Sequence, residues 1–227
     1  MRILSSFILA IFLMGIYSNI HAQATKSDPI DIQGRFGADL NLDLPKKWDL
    51  GLEYQARVMQ NFQTYSGSYL SLGFGKGVSK HLTLLGEYRF ARLLDAVSHR
   101  LGVGLIADRK IGKWKTDFRV LAMNRVEDFD DVTELQNVDN YLRLRVRGRR
   151  KLDDRIEFSL HAEPIYRIAS GLQIDNYRFQ AGLGYDINKH STLQFYYLNR
   201  PDYAKKYFRQ YHIFGLGFKY GLKPIKK

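Results

Sequence analysis

The chain has 227 residues, with 35 basic and 23 acidic side chains and no cysteine. This length suits one domain, and the lack of cysteine excludes disulfides, thiolate metal sites and cysteine nucleophiles. After Ile20 no segment offers the ~18 consecutive apolar residues of a membrane-spanning helix, so a helical membrane protein is excluded. The basic residues are spread over alternate positions rather than gathered in one patch, so nucleic acid is not a predicted partner.

The first 22 residues are predicted to be a secretory signal peptide. Arg2 supplies a positive start, an apolar run follows over residues 3–16, and Ile20-His21-Ala22 before Gln23 resembles a cleavage site. The alternative is a retained anchor helix, but the apolar run is short for a bilayer span. Removal of residues 1–22 takes away one basic residue, leaving 34 basic against 23 acidic side chains, a net charge of +11. We therefore predict an exported protein with a single domain over residues 23–227.

From Ile30 onward the sequence alternates apolar and polar residues. Between Ile30 and Leu44 the even positions are apolar or glycine, and the odd positions are almost all polar. A period of two places alternate side chains on opposite faces of a β-strand, so such a segment has one apolar and one polar face. The predicted strands cover residues 30–44, 48–60, 68–78, 82–93, 99–111, 114–126, 139–150, 155–167, 175–187, 191–200 and 208–222.

The connections predict a membrane barrel. Short turns, such as residues 45–47 and 79–81, alternate with longer loops, such as residues 127–138 and 201–207. Short periplasmic turns alternating with longer extracellular loops are typical of outer-membrane proteins. We predict an all-β fold, an antiparallel transmembrane β-barrel of about 10–12 strands, in the outer membrane of a Gram-negative bacterium.

The strand count and the orientation of the faces leave alternatives open. Eleven strands conflict with the even number usual in bacterial single-chain barrels, so 10, 11 and 12 strands stay open, as does the position of the N-terminus. A soluble periplasmic barrel that binds an apolar ligand would turn the apolar face inward. That arrangement would place about 60 apolar side chains inside, too many for a small closed barrel. Strands of 11 to 15 residues also exceed those of soluble sheets.

Several segments resemble a known family. LPKKWDLGLEY, VSKHLTLLGEYRF and YDINKHSTLQFYYLNR resemble the turn-and-strand units of uncharacterised bacterial outer-membrane barrels, domain of unknown function 2490. The segment HIFGLGFKYGL is similar to the closing strand of that family. The resemblance covers essentially the whole mature chain. It implies a location and a fold, and no activity or cofactor comes with it.

The two faces have different predicted roles. Trp48 and Trp114 lie on the apolar face directly after short turns, where indole rings mark the membrane interface. Their predicted environment is outer-membrane lipid and lipopolysaccharide. The polar face is predicted to line the lumen. Its candidate lumen-lining residues are Glu53, Arg57, Glu87, Arg89, Arg119, Arg143, Arg145, Arg147, Glu157, His161, Glu163 and Arg178.

The polar face also carries Arg149, Arg155 and Arg167. This excess of arginine allows two interpretations of the function of the lumen. Guanidinium groups bind carboxylates and phosphates well, so the lumen is predicted to be a narrow, porin-like path that favours a small anionic solute. It resembles the arginine ladders of small barrels that pass acidic oligosaccharides. In the alternative reading, Arg–Glu pairs fill the interior and the barrel is plugged and structural.

An enzyme is the weaker alternative. Ser159, His161 and Glu163 share one face of a strand, and some outer-membrane barrels are lipid hydrolases or acyltransferases. However, same-face neighbours on a strand lie ~6.5–7 Å apart at the backbone, and no nucleophile-elbow glycines surround Ser159. The histidines at 81, 99, 190 and 212 are scattered, and the acidic segment 127–134 lacks the spacing of an EF-hand. No catalytic, cofactor or metal site is predicted.

The last strand is predicted to contact the barrel-assembly machinery. The chain continues past that strand to Lys227 instead of stopping on an aromatic residue. Recognition is therefore expected to depend on Phe218, Tyr220 and Leu222.

Overall fold

A computed structural model describes residues 30–94, 96–129, 137–169, 171–203 and 208–222. The predicted signal peptide lies outside these residues. Among the described residues no helix is long and apolar enough to cross a membrane. The strands are β1 Ile30–Leu44, β2 Trp48–Met59, β3 Thr64–Gly77, β4 Leu82–Leu93, β5 Ala96–Ile111, β6 Trp114–Phe129, β7 Asn137–Lys151, β8 Ile156–Ile168, β9 Leu172–Asp186, β10 Ser191–Asp202 and β11 Arg209–Leu222.

The strands form one closed barrel in which every strand pairs with its neighbours in the sequence. Consecutive strands are antiparallel, but β1 and β11 pair in parallel, from Ile30 opposite Gln210 to Leu42 opposite Leu222. An odd number of hairpin-linked strands leaves the first and last strands running the same way, so only a parallel pair can close the barrel. The predicted all-β barrel is confirmed with eleven strands. The pairs between consecutive strands are antiparallel as predicted, and the closing β1–β11 pair is parallel.

The two ends of the barrel differ in their connections. We call the end with the 3₁₀ turn Pro45–Lys47 the turn end, and the end where β1 begins the loop end. At the loop end the strands run several residues further than predicted, with β3 starting at Thr64 and β9 at Leu172. The longest intervals between strands, residues 130–136 and 203–208, still lie at the loop end.

The alternation in the sequence corresponds to an apolar outer face and a charged inner face. Large apolar side chains point outward and are exposed, for example Leu101 at 61% and Val103 at 67%. Their strand neighbours one position away point into the barrel, as the period of two requires. Buried polar residues on the inner face include Arg35, Asp117 and Glu163.

A bulge in the β2–β3 pair interrupts this regular pattern beside one lumen arginine. The register shifts between Arg57 and Val58, so that Arg57 lies opposite Gly67 and Val58 opposite Tyr65. Gly67 has a φ of 145°, a conformation that other residues rarely adopt. A side chain there would also meet the backbone carbonyl of Arg92. Bulges of this kind reorient the side chains beside them.

Candidate functional site in the barrel lumen

Two cavities that share several lining residues lie inside the barrel. The larger, of ≈ 550 Å³, reaches the turn end, where Arg149 and Asp186 line it. The smaller, of ≈ 310 Å³, reaches the loop end, where Glu127 and Asp202 line it. Four arginines line both cavities and mark their junction: Arg57, Arg89, Arg100 and Arg178.

The wall of the larger cavity has an excess of positive charge. It carries ten arginines and Lys219 against six carboxylates, an excess of five charges. Asp117, which lies just behind this wall and binds Arg145 and Arg147, lowers the excess to four. The structure places all twelve predicted lumen residues on this wall, namely Glu53, Arg57, Glu87, Arg89, Arg119, Arg143, Arg145, Arg147, Glu157, His161, Glu163 and Arg178.

Among the carboxylates of the described residues, Glu163 interacts with the most arginines. Its two oxygens accept hydrogen bonds from Arg119 and Arg143, each at 2.6 Å. Arg178 lies 3.7 Å away. Glu163 is only 2% exposed, so its charge is stabilised by these arginines rather than by bulk solvent.

Other carboxylates bind one or two arginines each. Glu53 binds Arg89 at 3.0 Å, and Glu87 binds Arg100 at 2.8 Å. At the loop end Asp139 accepts a hydrogen bond from Arg125 at 2.7 Å. These pairs fix the side chains that stand around the cavity walls.

A second kind of arginine is held by tyrosine rings instead of carboxylates. The Arg57 guanidinium lies 3.7 Å from the centroid of the Tyr69 ring, and that of Arg200 lies 4.1 Å from the Tyr211 centroid. Within the described chain, neither arginine has a carboxylate within 4.0 Å in an ion pair. Stacking positions a guanidinium without neutralising its charge.

The lumen contains arginines that were not predicted, and one arginine predicted on the polar face lies elsewhere. Arg35, Arg100 and Arg200 line the cavities but were not predicted to. Each lies an even number of positions from other inward-facing residues of its strand, so the period of two could have identified them. Arg155, expected on the polar face, lies exposed in the β7–β8 turn, where its guanidinium donates to the Tyr185 hydroxyl at 3.4 Å.

The inner face is also less uniformly polar than predicted. Leu121, Leu198 and Ile213 are fully buried, and they belong to two apolar clusters on the inner wall. Tyr196 packs against the cluster of Leu198 and Ile213. No alternation rule identified these residues, because they break the polar pattern of their face.

The candidate enzymatic group does not form a relay. The Ser159 hydroxyl donates to the Gly182 carbonyl at 3.4 Å, and the Glu163 carboxylate is engaged by arginines. No hydrogen bond joins His161 to Ser159 or Glu163 in the described part of the chain. General-base activation of a serine requires that contact.

The remaining histidines have other surroundings. His99 and His212 face outward and bond the hydroxyls of Tyr88 and Tyr197 at 2.8 and 2.6 Å. His190 contacts the Gly221 carbonyl at 3.0 Å, and His81 lies exposed in the β3–β4 turn. Over the described residues, no group of three or more metal-ligating side chains is present. Most of the acidic segment 127–134 lies outside them.

Both tryptophans lie at the turn end. Trp48 is 46% exposed, and the Lys76 ammonium lies 4.7 Å from its ring centroid. Trp114 packs edge-on against Phe158, with ring centroids 6.3 Å apart. Each tryptophan opens a strand directly after a turn, as predicted.

A comparison with models of known protein families shows which family includes this chain. A family model described as "Protein of unknown function (DUF2490)" matches residues 35–211, which is most of the barrel. The chain belongs to the DUF2490 family. The predicted resemblance to this family is thereby confirmed.

Other comparisons add little to the DUF2490 match. No curated protein matches the chain. Among solved structures, the chain is similar to the crystal structure of Pseudomonas aeruginosa OccK8 (OprE), with 14% identity and a TM-score of 0.33. The match covers 70% of this chain and 54% of that one, so the DUF2490 barrel spans about half the length of OccK8. A TM-score this low adds nothing about function.

Proposed function

We propose that this DUF2490 protein is an outer-membrane β-barrel whose lumen is a narrow path for small anions. The membrane part of the proposal is supported by the outward face. Phe36, Leu70 and Phe214 are 46%, 46% and 50% exposed, and similar side chains occur on every strand. Soluble monomers rarely expose apolar patches larger than a few hundred Å².

The strand lengths agree with this location. The strands have 12 to 16 residues, whereas about 9–11 tilted residues cross a bilayer. The excess leaves room for both ends to extend past the hydrocarbon core. Trp48 and Trp114 would then lie at the headgroup level of the turn end.

Tryptophan depth tests the membrane part. We expect fluorescence of the purified protein in vesicles to be quenched most by lipids brominated near the headgroup, in Trp48→Phe and Trp114→Phe variants alike. Each variant retains a single tryptophan, because the chain has two. A protein that is soluble without detergent and insensitive to brominated lipid would contradict the membrane location.

The pore part of the proposal is carried by one observation: the larger cavity has five more cations than carboxylates on its wall. A plugged barrel would pair its buried charges, because an unpaired charge in a low dielectric is costly. Here the excess arginines line open cavities, and four arginines line both of them. Guanidinium groups exposed to water in a narrow lumen attract anions and repel cations.

Conductance in planar bilayers tests whether the lumen is open. We expect discrete, small current steps in KCl after the purified protein is added. Heat-denatured protein in the same detergent is the control. If the protein inserts, as judged by tryptophan depth, but gives no steps, the barrel is plugged and the pore proposal fails.

Assembly is the remaining part of the proposal. Phe218, Tyr220 and Leu222 point outward near the end of β11 and are about 40% exposed. This edge of the last strand is available to the assembly machinery before β1 covers the strand. Deletion of Phe218–Lys227 is expected to prevent outer-membrane assembly, and normal assembly of the deletion variant would disprove the role.

A further inference from the structure

We propose that Arg35, Arg57 and Arg200 form a binding site for a phosphate group at the junction of the two cavities. The inference rests on the proposed anion path and names the anion that the path recognises. Arg57 lines both cavities, Arg35 lines the larger and Arg200 the smaller. A solute that moves from one cavity to the other would therefore pass close to Arg57.

The barrel topology brings the three arginines together. Arg35 and Arg57 are cross-strand partners in the β1–β2 pair. Arg200 lies on β10, which is separated from β1 by β11 alone. Arg57 lines both cavities, with Arg35 on the wall of the larger and Arg200 on the wall of the smaller, so the three positive charges share the central region of the lumen. Three like charges in one place destabilise the barrel unless something neutralises them.

The surrounding side chains hold these arginines but do not neutralise them. Arg57 and Arg200 stack on Tyr69 and Tyr211. Arg57 also donates from Nε to the Gln55 amide oxygen at 2.6 Å, a neutral partner. By contrast, Arg89 and Arg100 at the same junction each bind a glutamate. Arg57 and Arg200 are thus positioned by neutral groups, and neither forms an ion pair with a carboxylate among the described residues.

The arginines of this cluster are buried or partly buried, and Arg35 is only 8% exposed. The Nε atoms of Arg35 and Arg200 are buried without a hydrogen-bond partner in the described part of the chain, as are those of eight other arginines. An oxyanion in the lumen would therefore be bound through the terminal nitrogens of the guanidinium groups.

The geometry favours phosphate over carboxylate. A carboxylate has two oxygens in one plane and one negative charge. A phosphate group has three or four oxygens in a tetrahedral arrangement and about −1.5 to −2 charge at pH 7. Arginines from three different strands can surround a tetrahedral group, and each can donate two hydrogen bonds to it.

Calorimetric titration with inorganic phosphate in detergent tests the site without requiring conductance. We expect wild-type protein to bind phosphate and Arg57→Gln to bind it about tenfold more weakly or worse, as loss of a hydrogen bond to a charged group implies. The matched control is Arg149→Gln, which removes the same charge from the same cavity outside the cluster. We expect it to bind phosphate within about twofold of wild type, because distant charges are screened.

One more protein variant and one more ligand make the result of this titration decisive. Arg57→Lys retains the charge but not the planar fork, and we expect intermediate affinity; it substitutes for Arg57→Gln if that variant does not fold. Titration with glycerol 3-phosphate distinguishes the two possible sources of the phosphate group. Binding of both compounds would indicate that the site accepts the phosphoryl group of an organic solute. Binding of inorganic phosphate alone would indicate that the ligand is the free ion.

Failure of the site is distinguishable from failure of the pore. No phosphate binding by the wild type, or equal weakening by Arg57→Gln and Arg149→Gln, would overturn the phosphate site even if current steps are seen. Phosphate binding that depends on Arg57, in a protein that gives no current steps, would support the phosphate site and overturn the pore proposal.

Discussion

At the scale of single residues, charge balance in the lumen separates structural arginines from exposed ones. Arg119, Arg143 and Arg178 surround Glu163, whereas Arg35, Arg57 and Arg200 have no carboxylate bound among the described residues. The first group holds the wall together. The second group leaves positive charge facing the cavities, where a solute can use it.

Glu163→Gln is expected to destabilise the barrel strongly. The change removes the charge that three arginines share at a site that is 2% exposed, and breaking a buried ion pair costs about 3–5 kcal/mol. The measurement is the temperature at which the folded gel band is lost in detergent, or thermal unfolding followed by circular dichroism.

Glu157→Gln is the matched control for that prediction. Glu157 lies on the same strand and lines the same cavity, without a carboxylate–arginine pair among the described residues. We expect it to change the stability by less than about 1 kcal/mol. Equal unfolding temperatures for the two variants would show that the Glu163 cluster is not stabilising.

Many of the residues that face the lumen could be predicted from the sequence, but their partners could not. The alternation of apolar and polar residues was enough to predict that Arg119 and Glu163 lie on the inner face. Their contact joins β6 to β8 across β7, and it depends on the stagger of three strands. Likewise, the stacking of Arg57 on Tyr69 follows from a pairing that the hydrophobic pattern does not specify.

At the scale of elements, glycines on the inner face make room for particular side chains. Gly215 on β11 lies opposite Tyr196 of β10, and the ring of Tyr196 occupies the space that a Cβ would need. That ring packs against Leu198 and Ile213 and stands near Arg35. The β10–β11 pair therefore depends on the absence of a side chain at residue 215.

Gly215→Ala is expected to lower the stability by about 1–3 kcal/mol, the usual cost of overpacking. Gly217→Ala is its control on the same strand and face, because the nearest atoms to its new Cβ would be 3.8 and 4.0 Å away. Both are measured by the same thermal gel assay. A Gly217→Ala variant as unstable as Gly215→Ala would show that strand flexibility, not the Tyr196 contact, is the cause.

The parallel seam between β1 and β11 can be tested by cross-linking. Asp39 and Lys219 are register partners, with the Lys219 ammonium 3.9 Å from the Asp39 carboxylate. An Asp39→Cys/Lys219→Cys variant is expected to form a disulfide on mild oxidation, since adjacent strands lie about 4.8 Å apart. The native chain has no cysteine, so no other disulfide competes.

The shifted pair Asp39→Cys/Gly217→Cys controls for nonspecific oxidation. Its Cα atoms would be about 8 Å apart, beyond the reach of an unstrained disulfide. The readout is band mobility on a nonreducing gel. Preferential oxidation of the shifted pair would contradict the register, and oxidation of neither pair would contradict closure by β1 and β11.

The strands themselves were predictable, but their closure was not. All eleven predicted strands occur, because the period of two holds over most of each strand. The parallel seam has no local signature, since Ile30–Leu44 reads the same whether its second neighbour is parallel or antiparallel. Predicted loops were too long for a related reason: ladder hydrogen bonds continue through residues whose composition indicates a turn.

At the scale of the whole molecule, an apolar exterior and an arginine-rich interior fit one physical setting. The exposed side chains need a lipid environment, and the unbalanced charges need water and anions inside. Both requirements are met by a barrel that crosses a bilayer and contains a solvated, narrow lumen. The central claim is that the excess of arginine makes this lumen selective for anions.

The reversal potential in planar bilayers under a KCl gradient tests that claim most directly. We predict a reversal potential whose sign shows that chloride is more permeant than potassium. The reason is that ten arginines and a lysine outnumber six carboxylates on the wall of the larger cavity. An Arg35→Gln/Arg57→Gln/Arg200→Gln variant should move the potential toward zero. A wild-type potential set by potassium would contradict the claim.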